Sequence, residues 1–169
     1  MNILLIGMPG CGKTAFGRVL AEKLNFGFVD IDDEITAREN KSINCIFKES
    51  GEEYFRTVES QTLSDILDGD DQVISSGGGI VEVFSNIKEA KNKKAFIIFI
   101  DRPLDLIMGD IDTSERPLLK DGADRLHSLY ASRYDKYSLA ADTIIKNDKS
   151  FGSVLGSMLA AVNKQMGKV

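Results

Sequence analysis

The chain has 169 residues, of which 43% are hydrophobic and 28% charged, and this balance predicts one globular domain spanning residues 1–169 and excludes a disordered chain. Its net charge of −5 and its scattered lysines and arginines argue against a nucleic-acid partner, because phosphate backbones are held by clustered basic side chains. The apolar residues 2–6 are too few for a signal peptide or a membrane span, so we expect a cytoplasmic monomer without a membrane partner.

Short apolar runs alternate with helical patterns along the chain, and continuous apolar runs are typical of strands buried on both faces of a parallel sheet. We predict strands at residues 2–6, 26–29, 72–75, 95–100 and 143–145. We predict helices at residues 12–24, in several pieces over 31–67, at 118–139 and near the C-terminus. Ser50 and Glu53 have the spacing of a capping box, which predicts that a helix begins at Ser50. The alternation predicts a three-layer α/β/α domain with a five-stranded parallel sheet, in which ligands bind beyond the carboxyl ends of the strands.

A complete phosphate-binding loop follows the first strand. Residues 7–14 read Gly-Met-Pro-Gly-Cys-Gly-Lys-Thr, which satisfies G-x-x-x-x-G-K-[ST] between a buried strand and an amphipathic helix. Such glycines let successive N–H groups turn toward phosphate oxygens, and the helix N-terminus adds its partial positive charge. We expect Lys13 to bridge the β- and γ-phosphates of ATP and the Thr14 hydroxyl to ligate Mg²⁺. The residues expected to hold the nucleotide are Pro9, Gly10, Cys11, Gly12, Lys13 and Thr14.

Two aspartates follow the second strand. Asp30 and Asp32 are two residues apart, and in an extended chain this spacing points both carboxylates toward the phosphate loop. One can help to hold Mg²⁺ through water while the other accepts a proton from an acceptor hydroxyl; a helix N-terminus rich in acids is the alternative. Asp101 ends an apolar strand as a Walker B aspartate does, but Pro103 follows closely, so we interpret Asp101 as the cap or start of a helix. In P-loop proteins of this class the third strand lies beside the first, and here the third strand ends at Ser75 without a carboxylate.

Weaker signals lie farther along the chain. Arg56 lies on a predicted helix one turn before Glu59, which can pair with it as an ordinary surface ion pair would. The glycines at 77–79 offer free N–H groups where a side chain would obstruct a ligand, although a strand-ending turn would look the same. Arg133 adds a second arginine on a late helix.

Taken in order, these motifs resemble those of the shikimate kinase family. The family pattern is a phosphate loop, D-x-D, F-R-x-x-E, G-G-G, R-P-L-L and R-x-x-x-Y-x-x-x-A-D. The matching segments of this chain are residues 7–14, 30–32, 55–59, 77–79, 116–119 and 133–142. The resemblance spans roughly residues 3–145 and implies a nucleoside-monophosphate-kinase-like P-loop fold with a mobile lid at about 109–121.

The resemblance also implies a reaction and a set of roles. The family uses MgATP to phosphorylate the 3-hydroxyl of shikimate, a cyclohexene carboxylate, so ATP and Mg²⁺ are the expected cofactors and shikimate the expected partner. Arg56 and Arg133 would hold the carboxylate, with Glu59 orienting Arg56. Asp32 would bind the reacting hydroxyl and act as base, and Asp30 would serve the metal. The residues that would donate backbone contacts to the substrate are Gly77, Gly78 and Gly79.

The nucleotide end departs from the family pattern. Arg116, on the lid, would contact the phosphates when the lid closes. The family usually has a second arginine seven residues earlier, stacked on adenine, but this chain has Gly109 there; Arg102 is a candidate substitute. Two alternatives remain open at this point: a gluconate-type P-loop kinase, and a nucleotide-binding regulator without turnover.

Overall fold

A computed structural model of the protein describes residues 1–110 and 119–167. The strands are β1 (Ile3–Ile6), β2 (Gly27–Asp30), β3 (Gln72–Ser75), β4 (Phe96–Asp101) and β5 (Thr143–Lys146). The helices are α1 (Lys13–Leu24), α2 (Ile31–Glu39), α3 (Ile43–Leu67), α4 (Phe84–Asn92), α5 (Leu104–Gly109), α6 (Leu119–Ala140) and α7 (Phe151–Gln165), and a 3₁₀ helix (Ile80–Glu82) precedes α4. The five predicted strands are confirmed to within one residue or so at each end. Arg116 and most of the predicted lid lie outside the described residues.

All strands pair in parallel, in the order β2-β3-β1-β4-β5. The prediction that β3 lies beside β1 is confirmed, since Ser75 pairs with Leu5 on one side and with Asp30 on the other. The carboxyl ends of β1, β2 and β3 therefore meet at one edge of the sheet. The loops that follow these three strands carry most of the predicted site residues.

The burial of each strand follows its place in the sheet. β1 and β4 are buried along their whole length, whereas the edge strands β2 and β5 are partly exposed. Helices cover both faces, as predicted for a three-layer α/β/α domain. On one of them, α1 lies against α7, where the rings of Phe16 and Phe151 stack with centroids 4.3 Å apart. In residues 1–110 and 119–167, no helix has both the length and the apolar character that a bilayer crossing requires.

The helical segment α3 consists of two helices that meet at a kink. The first starts after Ser42, whose hydroxyl accepts a hydrogen bond from the Cys45 N–H at 3.2 Å. Gly51 interrupts it with φ of 81° and ψ of 173°, a conformation that glycine adopts without strain, so the second helix begins beside Ser50, as predicted. The prediction that Asp101 caps or starts a helix is wrong: Asp101 ends β4, and its carboxylate accepts a hydrogen bond from the Tyr134 hydroxyl at 3.3 Å.

No helix was predicted over α4. Its buried residues are Asn86, Ile87 and Ala90, so its apolar contact with the core is short, and its other large apolar residue, Phe84, is exposed. The side chain of Asn86 instead donates a hydrogen bond to the Ile80 carbonyl at 3.2 Å. That contact ties α4 to the 3₁₀ helix, whose Glu82 reaches toward α6.

Candidate active site

The loop after β1 is wound around the side chain of Lys13. Gly7, Gly10 and Gly12 have φ values of 146°, 79° and 100°. These values favour glycine, because in other residues the Cβ would clash with the backbone. The Lys13 ammonium donates hydrogen bonds to the carbonyl oxygens of Gly7 and Met8, both at 2.9 Å. This lysine is 8% exposed. Its charge therefore lies inside the loop, where phosphate oxygens are expected.

Oxygen ligands suited to Mg²⁺ meet at the start of α1. The Thr14 hydroxyl donates a hydrogen bond to the Asp30 carboxylate at 2.8 Å and lies 3.3 Å from the Ser75 hydroxyl. Mg²⁺ prefers oxygen ligands and keeps several waters, so one or two protein groups plus substrate phosphates are enough to hold it. Accordingly, the described part of the chain contains no cluster of three or more His, Cys, Asp or Glu side chains placed for a metal. This donor set fits the ion.

The role of Ser75 was missed in the sequence analysis, which noted only that β3 ends without a carboxylate. A serine at the carboxyl end of the strand beside the phosphate loop is a signal that can identify it. The neighbouring Ser76 has a structural contact instead, because its hydroxyl donates a hydrogen bond to the Leu5 carbonyl at 2.8 Å.

Asp32 is a half-buried carboxylate, one oxygen of which has no donor. It lies in the first turn of α2, and its Oδ1 is buried with no hydrogen-bond partner among the described residues. Burial raises the pKa of Asp32, and the charge of Asp30 raises it further, while Lys13 and Arg56 oppose the shift. An unsatisfied buried oxygen is costly, so this carboxylate is suited to accept a hydrogen bond from a ligand.

Arg56 is held beside Asp32 by two glutamates. Its guanidinium donates to Glu59 at 2.7 Å and to Glu52 at 3.1 Å. Glu59 is fully buried, and burial raises its pKa although the hydrogen bond from Arg56 opposes this. A Cβ at Gly79 would overlap the guanidinium, so a larger residue there would displace Arg56 from this position.

Gly77 is a second position at which a larger residue would crowd these side chains. A Cβ there would lie 3.0 Å from Glu59 Oε1 and 3.2 Å from Asp32 Oδ1. The glycines at 77–79 therefore let the chain pass close to three charged groups. They bring backbone N–H groups to the same edge of the sheet as the phosphate loop.

Arg133 is fixed by a partner that the sequence analysis missed. Its Nε donates a hydrogen bond to Glu82 Oε1 at 2.6 Å, and Lys136 donates to Glu82 Oε2, also at 2.6 Å. Arg133 is 9% exposed. Although burial works against it, the hydrogen bonds from Lys136 and Arg133 lower the pKa of Glu82, which therefore stays ionised.

Two long-range hydrogen bonds lock the loops around this edge. The buried Tyr137 hydroxyl donates to the Gly78 carbonyl at 2.5 Å, and burial raises the pKa of Tyr137, so the hydroxyl remains a donor. The Asn147 amide, after β5, donates to the Cys11 carbonyl at 3.0 Å. Neither pair was predicted, because each joins residues that no local pattern connects.

Arg102 contacts the outer side of the phosphate loop. It donates a hydrogen bond to the Gly10 carbonyl at 3.2 Å and forms an ion pair with Asp110 at 2.6 Å. Arg102 is thus on the nucleotide side of the site. Gly109, where the resemblance leads one to expect an arginine, ends α5 with open space around it.

The predicted site residues of the described chain all lie around one edge of the sheet. That edge combines a phosphate loop with its lysine inside, an oxygen set for Mg²⁺, a half-buried carboxylate with one unpaired oxygen and two positioned arginines. Together with a parallel sheet of this order, these features define a P-loop kinase with a small anionic acceptor.

Comparison with known proteins identifies the family. The family model described as Shikimate kinase matches residues 9–163. The shikimate kinase of Clostridium beijerinckii is 44% identical over 157 residues, covering 93% of this chain and 92% of that protein. The crystal structure of shikimate kinase from Aquifex aeolicus superposes with a TM-score of 0.86 at 34% identity, covering 100% of both chains. Shikimate kinase from Acinetobacter baumannii, solved in complex with shikimate, gives a TM-score of 0.88 at 28% identity, covering 97% of this chain and 93% of that one.

The chain belongs to the shikimate kinase family, and it is an enzyme that uses ATP. Of the alternatives that the sequence left open, the gluconate-type kinase and the regulator without turnover are both set aside by this membership. The family assignment made from the six motifs is confirmed.

The hydrogen bond from Tyr137 to Gly78 gives a stability prediction. Tyr137→Phe leaves a buried carbonyl without its donor, so we expect the free energy of unfolding to fall by about 1–2 kcal/mol. Tyr130→Phe is the matched control, because Tyr130 is half-buried and we expect a change within about 0.5 kcal/mol. Urea denaturation of both variants measures the difference; equal losses would show that the Gly78 contact does not stabilise the loop.

The raised pKa of Asp32 predicts that Asp32→Asn stabilises the ligand-free enzyme at neutral pH. A carboxyl group whose pKa is higher in the folded state than in the unfolded state favours folding when protonated, and this contribution is lost as pH rises through the folded-state pKa. At pH 7 the neutral amide avoids that loss, so the free energy of unfolding of Asp32→Asn should exceed that of the wild type. This difference should shrink as pH falls toward the usual aspartate pKa of about 3.9.

Urea denaturation at neutral and acidic pH, without nucleotide or metal, checks this expectation. Asp33→Asn is the control, since that side chain is 77% exposed and we expect almost no change at either pH. A wild-type enzyme that is more stable than Asp32→Asn at pH 7 would contradict the account of Asp32 as a costly buried charge.

Proposed function

We propose that this shikimate kinase transfers the γ-phosphoryl group of ATP to the 3-hydroxyl of shikimate, giving shikimate 3-phosphate and ADP. The observation that carries the proposal is the position of the unpartnered Asp32 carboxylate near both Lys13 and Arg56, whose charges act on its pKa. A hydroxyl bound at Asp32 lies between a phosphate loop and a carboxylate-binding arginine. That is the geometry required for phosphorylating a hydroxylated carboxylic acid.

The nucleotide and metal occupy the loop side of this arrangement. Backbone N–H groups of residues 9–14 surround the phosphates, and the Lys13 ammonium exchanges its carbonyl partners for β- and γ-phosphate oxygens. The Thr14 hydroxyl and the Asp30 carboxylate would hold Mg²⁺, and Ser75 lies close enough to orient the Thr14 hydroxyl. When bound, the ion would neutralise charge on the phosphates.

The acceptor is held on the other side. Arg56 and Arg133 bind the shikimate carboxylate, because a guanidinium presents paired N–H donors that match a carboxylate. Glu59 and Glu82 fix these arginines before the substrate arrives, which lowers the ordering cost on binding. The N–H groups of residues 77–79 complete the acceptor site.

Asp32 orients the acceptor hydroxyl and accepts its proton as the new O–P bond forms. Phosphoryl transfer passes through a loose transition state, so positioning and charge stabilisation supply most of the catalysis. Lys13 and Arg116 stabilise the charge on the transferred group, with Arg116 contributed by the lid. Lid closure excludes water, which otherwise competes as acceptor.

Arg102 takes the adenine-side role that an arginine at position 109 fills in the family. Support for this comes from its hydrogen bond to the Gly10 carbonyl at 3.2 Å, which keeps the guanidinium against the phosphate loop. Its ion pair with Asp110 limits the orientations that it samples. A planar guanidinium in this position is suited to stacking on a purine.

We further propose that the enzyme acts as a monomer in the cytoplasm. Cys11 and Cys45 are free thiols, which suit the reducing conditions of that compartment. The net charge of −5 does not favour association with nucleic acid.

Shikimate-dependent release of ADP tests the reaction, and Asp32→Asn tests the mechanism. Because an amide cannot accept the hydroxyl proton, we expect kcat to fall on the order of 10²-fold or more, while the affinity for ATP stays within about twofold of wild type. Asp33→Asn should retain nearly full activity. Absence of shikimate-dependent turnover in the wild-type enzyme would refute the proposed reaction. An Asp32→Asn variant with nearly full activity would show that Asp32 has no catalytic role and is only part of the first turn of α2.

The two glutamates around Arg56 allow a matched pair of variants. Glu59→Gln removes the buried partner that fixes Arg56, so we expect the KM for shikimate to rise about tenfold, the equivalent of one lost charged hydrogen bond, with the KM for ATP unchanged. Glu52→Gln alters a partner that is 64% exposed, and solvent-exposed ion pairs contribute little. Steady-state kinetics with each substrate varied separates the two; equal KM values would place the carboxylate site elsewhere.

A further inference from the structure

A second cavity lies beside the acceptor site, between α6 and the segment formed by the 3₁₀ helix and α4. Its volume is about 530 Å³, which is within the usual range of small-molecule sites. No residue assigned above to contact nucleotide, metal or shikimate lines it, and of the residues that position those groups only Glu82 does. The proposed reaction therefore gives the cavity itself no ligand.

The walls of this cavity are largely apolar. Val81 and Ile87 form its buried part, and Phe84 and Leu139 stand at its mouth with 79% and 82% of their surfaces exposed. Single exposed apolar side chains are ordinary on protein surfaces. Two large ones that flank the same cavity, continuous with buried apolar residues, form a patch of the kind that marks a binding site.

The rim of the cavity is basic, although the protein as a whole is acidic. Lys88, Lys91 and Lys136 line it, in a chain with a net charge of −5. Lys136 pairs with Glu82 at 2.6 Å, whereas Lys88 and Lys91 form no ion pair within residues 1–110 and 119–167. The cavity thus combines an apolar interior with two unpaired positive charges.

We propose that this cavity binds a small amphipathic carboxylate, with an apolar ring between Phe84, Ile87 and Leu139 and a carboxylate facing the lysines. A second copy of the chain is a poorer occupant. A two-fold interface places the same patch on both sides, so it would gather six lysines into one interface, and like charges within an interface oppose association.

Occupation of the cavity is coupled to the acceptor site through Glu82, a step that rests on the proposed role of Arg133. One carboxylate oxygen of Glu82 accepts from Arg133 and the other from Lys136. A bound carboxylate draws Lys136 away and leaves Glu82 held by Arg133 alone. Arg133 is then less firmly positioned for the shikimate carboxylate, so the ligand raises the KM for shikimate.

Binding is tested with 2-naphthoate as the probe and neutral 2-naphthamide as its isostere, by calorimetry on the full-length enzyme. We expect naphthoate to bind more tightly than naphthamide. Lys88→Glu/Lys91→Glu should weaken naphthoate binding at least about tenfold with little effect on naphthamide, and Leu139→Ser should weaken both. Lys164→Glu on α7, outside the cavity, is the matched charge reversal and should change neither.

Added shikimate distinguishes the cavity from the acceptor site, which also binds carboxylates. If the sites are distinct and coupled, the naphthoate Kd rises to a plateau as shikimate saturates, and saturating naphthoate raises the Kd for shikimate by the same factor. Competition without a plateau, insensitive to Lys88→Glu/Lys91→Glu, would overturn the proposal, as would absence of naphthoate binding.

Two further outcomes are decisive. Concentration-dependent dimerisation that Leu139→Ser abolishes, in an enzyme that does not bind naphthoate, would assign the surface to a second copy and overturn the proposal. Binding in the cavity without any effect on the KM for shikimate would refute the coupling through Glu82, while shikimate-dependent turnover would still support the proposed reaction.

Discussion

β3 pairs in parallel with β1 on one side and with β2 on the other, so Ser75 lies level with both Leu5 and Asp30. Because every strand runs the same way, the loops that follow these strands emerge side by side. The phosphate loop, the aspartates after β2 and the glycines after β3 therefore meet, although they are far apart in the sequence. The contact between Thr14 and Asp30 at 2.8 Å is a direct product of this strand order.

The charged side chains at this edge differ in whether they have a partner. Each arginine assigned to the acceptor has its own carboxylate, Glu59 for Arg56 and Glu82 for Arg133, whereas Asp32 has a buried oxygen with no donor among the described residues. The arginines are thus positioned before the substrate binds, and Asp32 is the group whose environment improves when a hydroxyl arrives. Stability given up at Asp32 is a usual cost of a preorganised site.

Sequence predicted the sheet and much of the site because these are written in local patterns: apolar runs for strands, a glycine loop with its lysine, and aspartates two residues apart. It did not predict the contacts that fix the site, such as Tyr137 with Gly78 or Glu82 with Arg133. Those pairs depend on how α6 packs over the sheet, and no periodicity records which distant side chains meet. The start of a helix beside Ser50 was also predicted from a local pattern, and Gly51 separates the two helices of α3 there.

A crystal structure with ADP, Mg²⁺ and shikimate tests the central claim most directly, namely that one edge of the sheet holds the metal and aligns a carboxylate and a hydroxyl on separate groups. The account predicts the shikimate carboxylate within hydrogen-bonding distance of Arg56 and Arg133, its 3-hydroxyl on Asp32, and Mg²⁺ on the Thr14 hydroxyl. A shikimate carboxylate bound away from both arginines, or a 3-hydroxyl with no contact to Asp32, would contradict it.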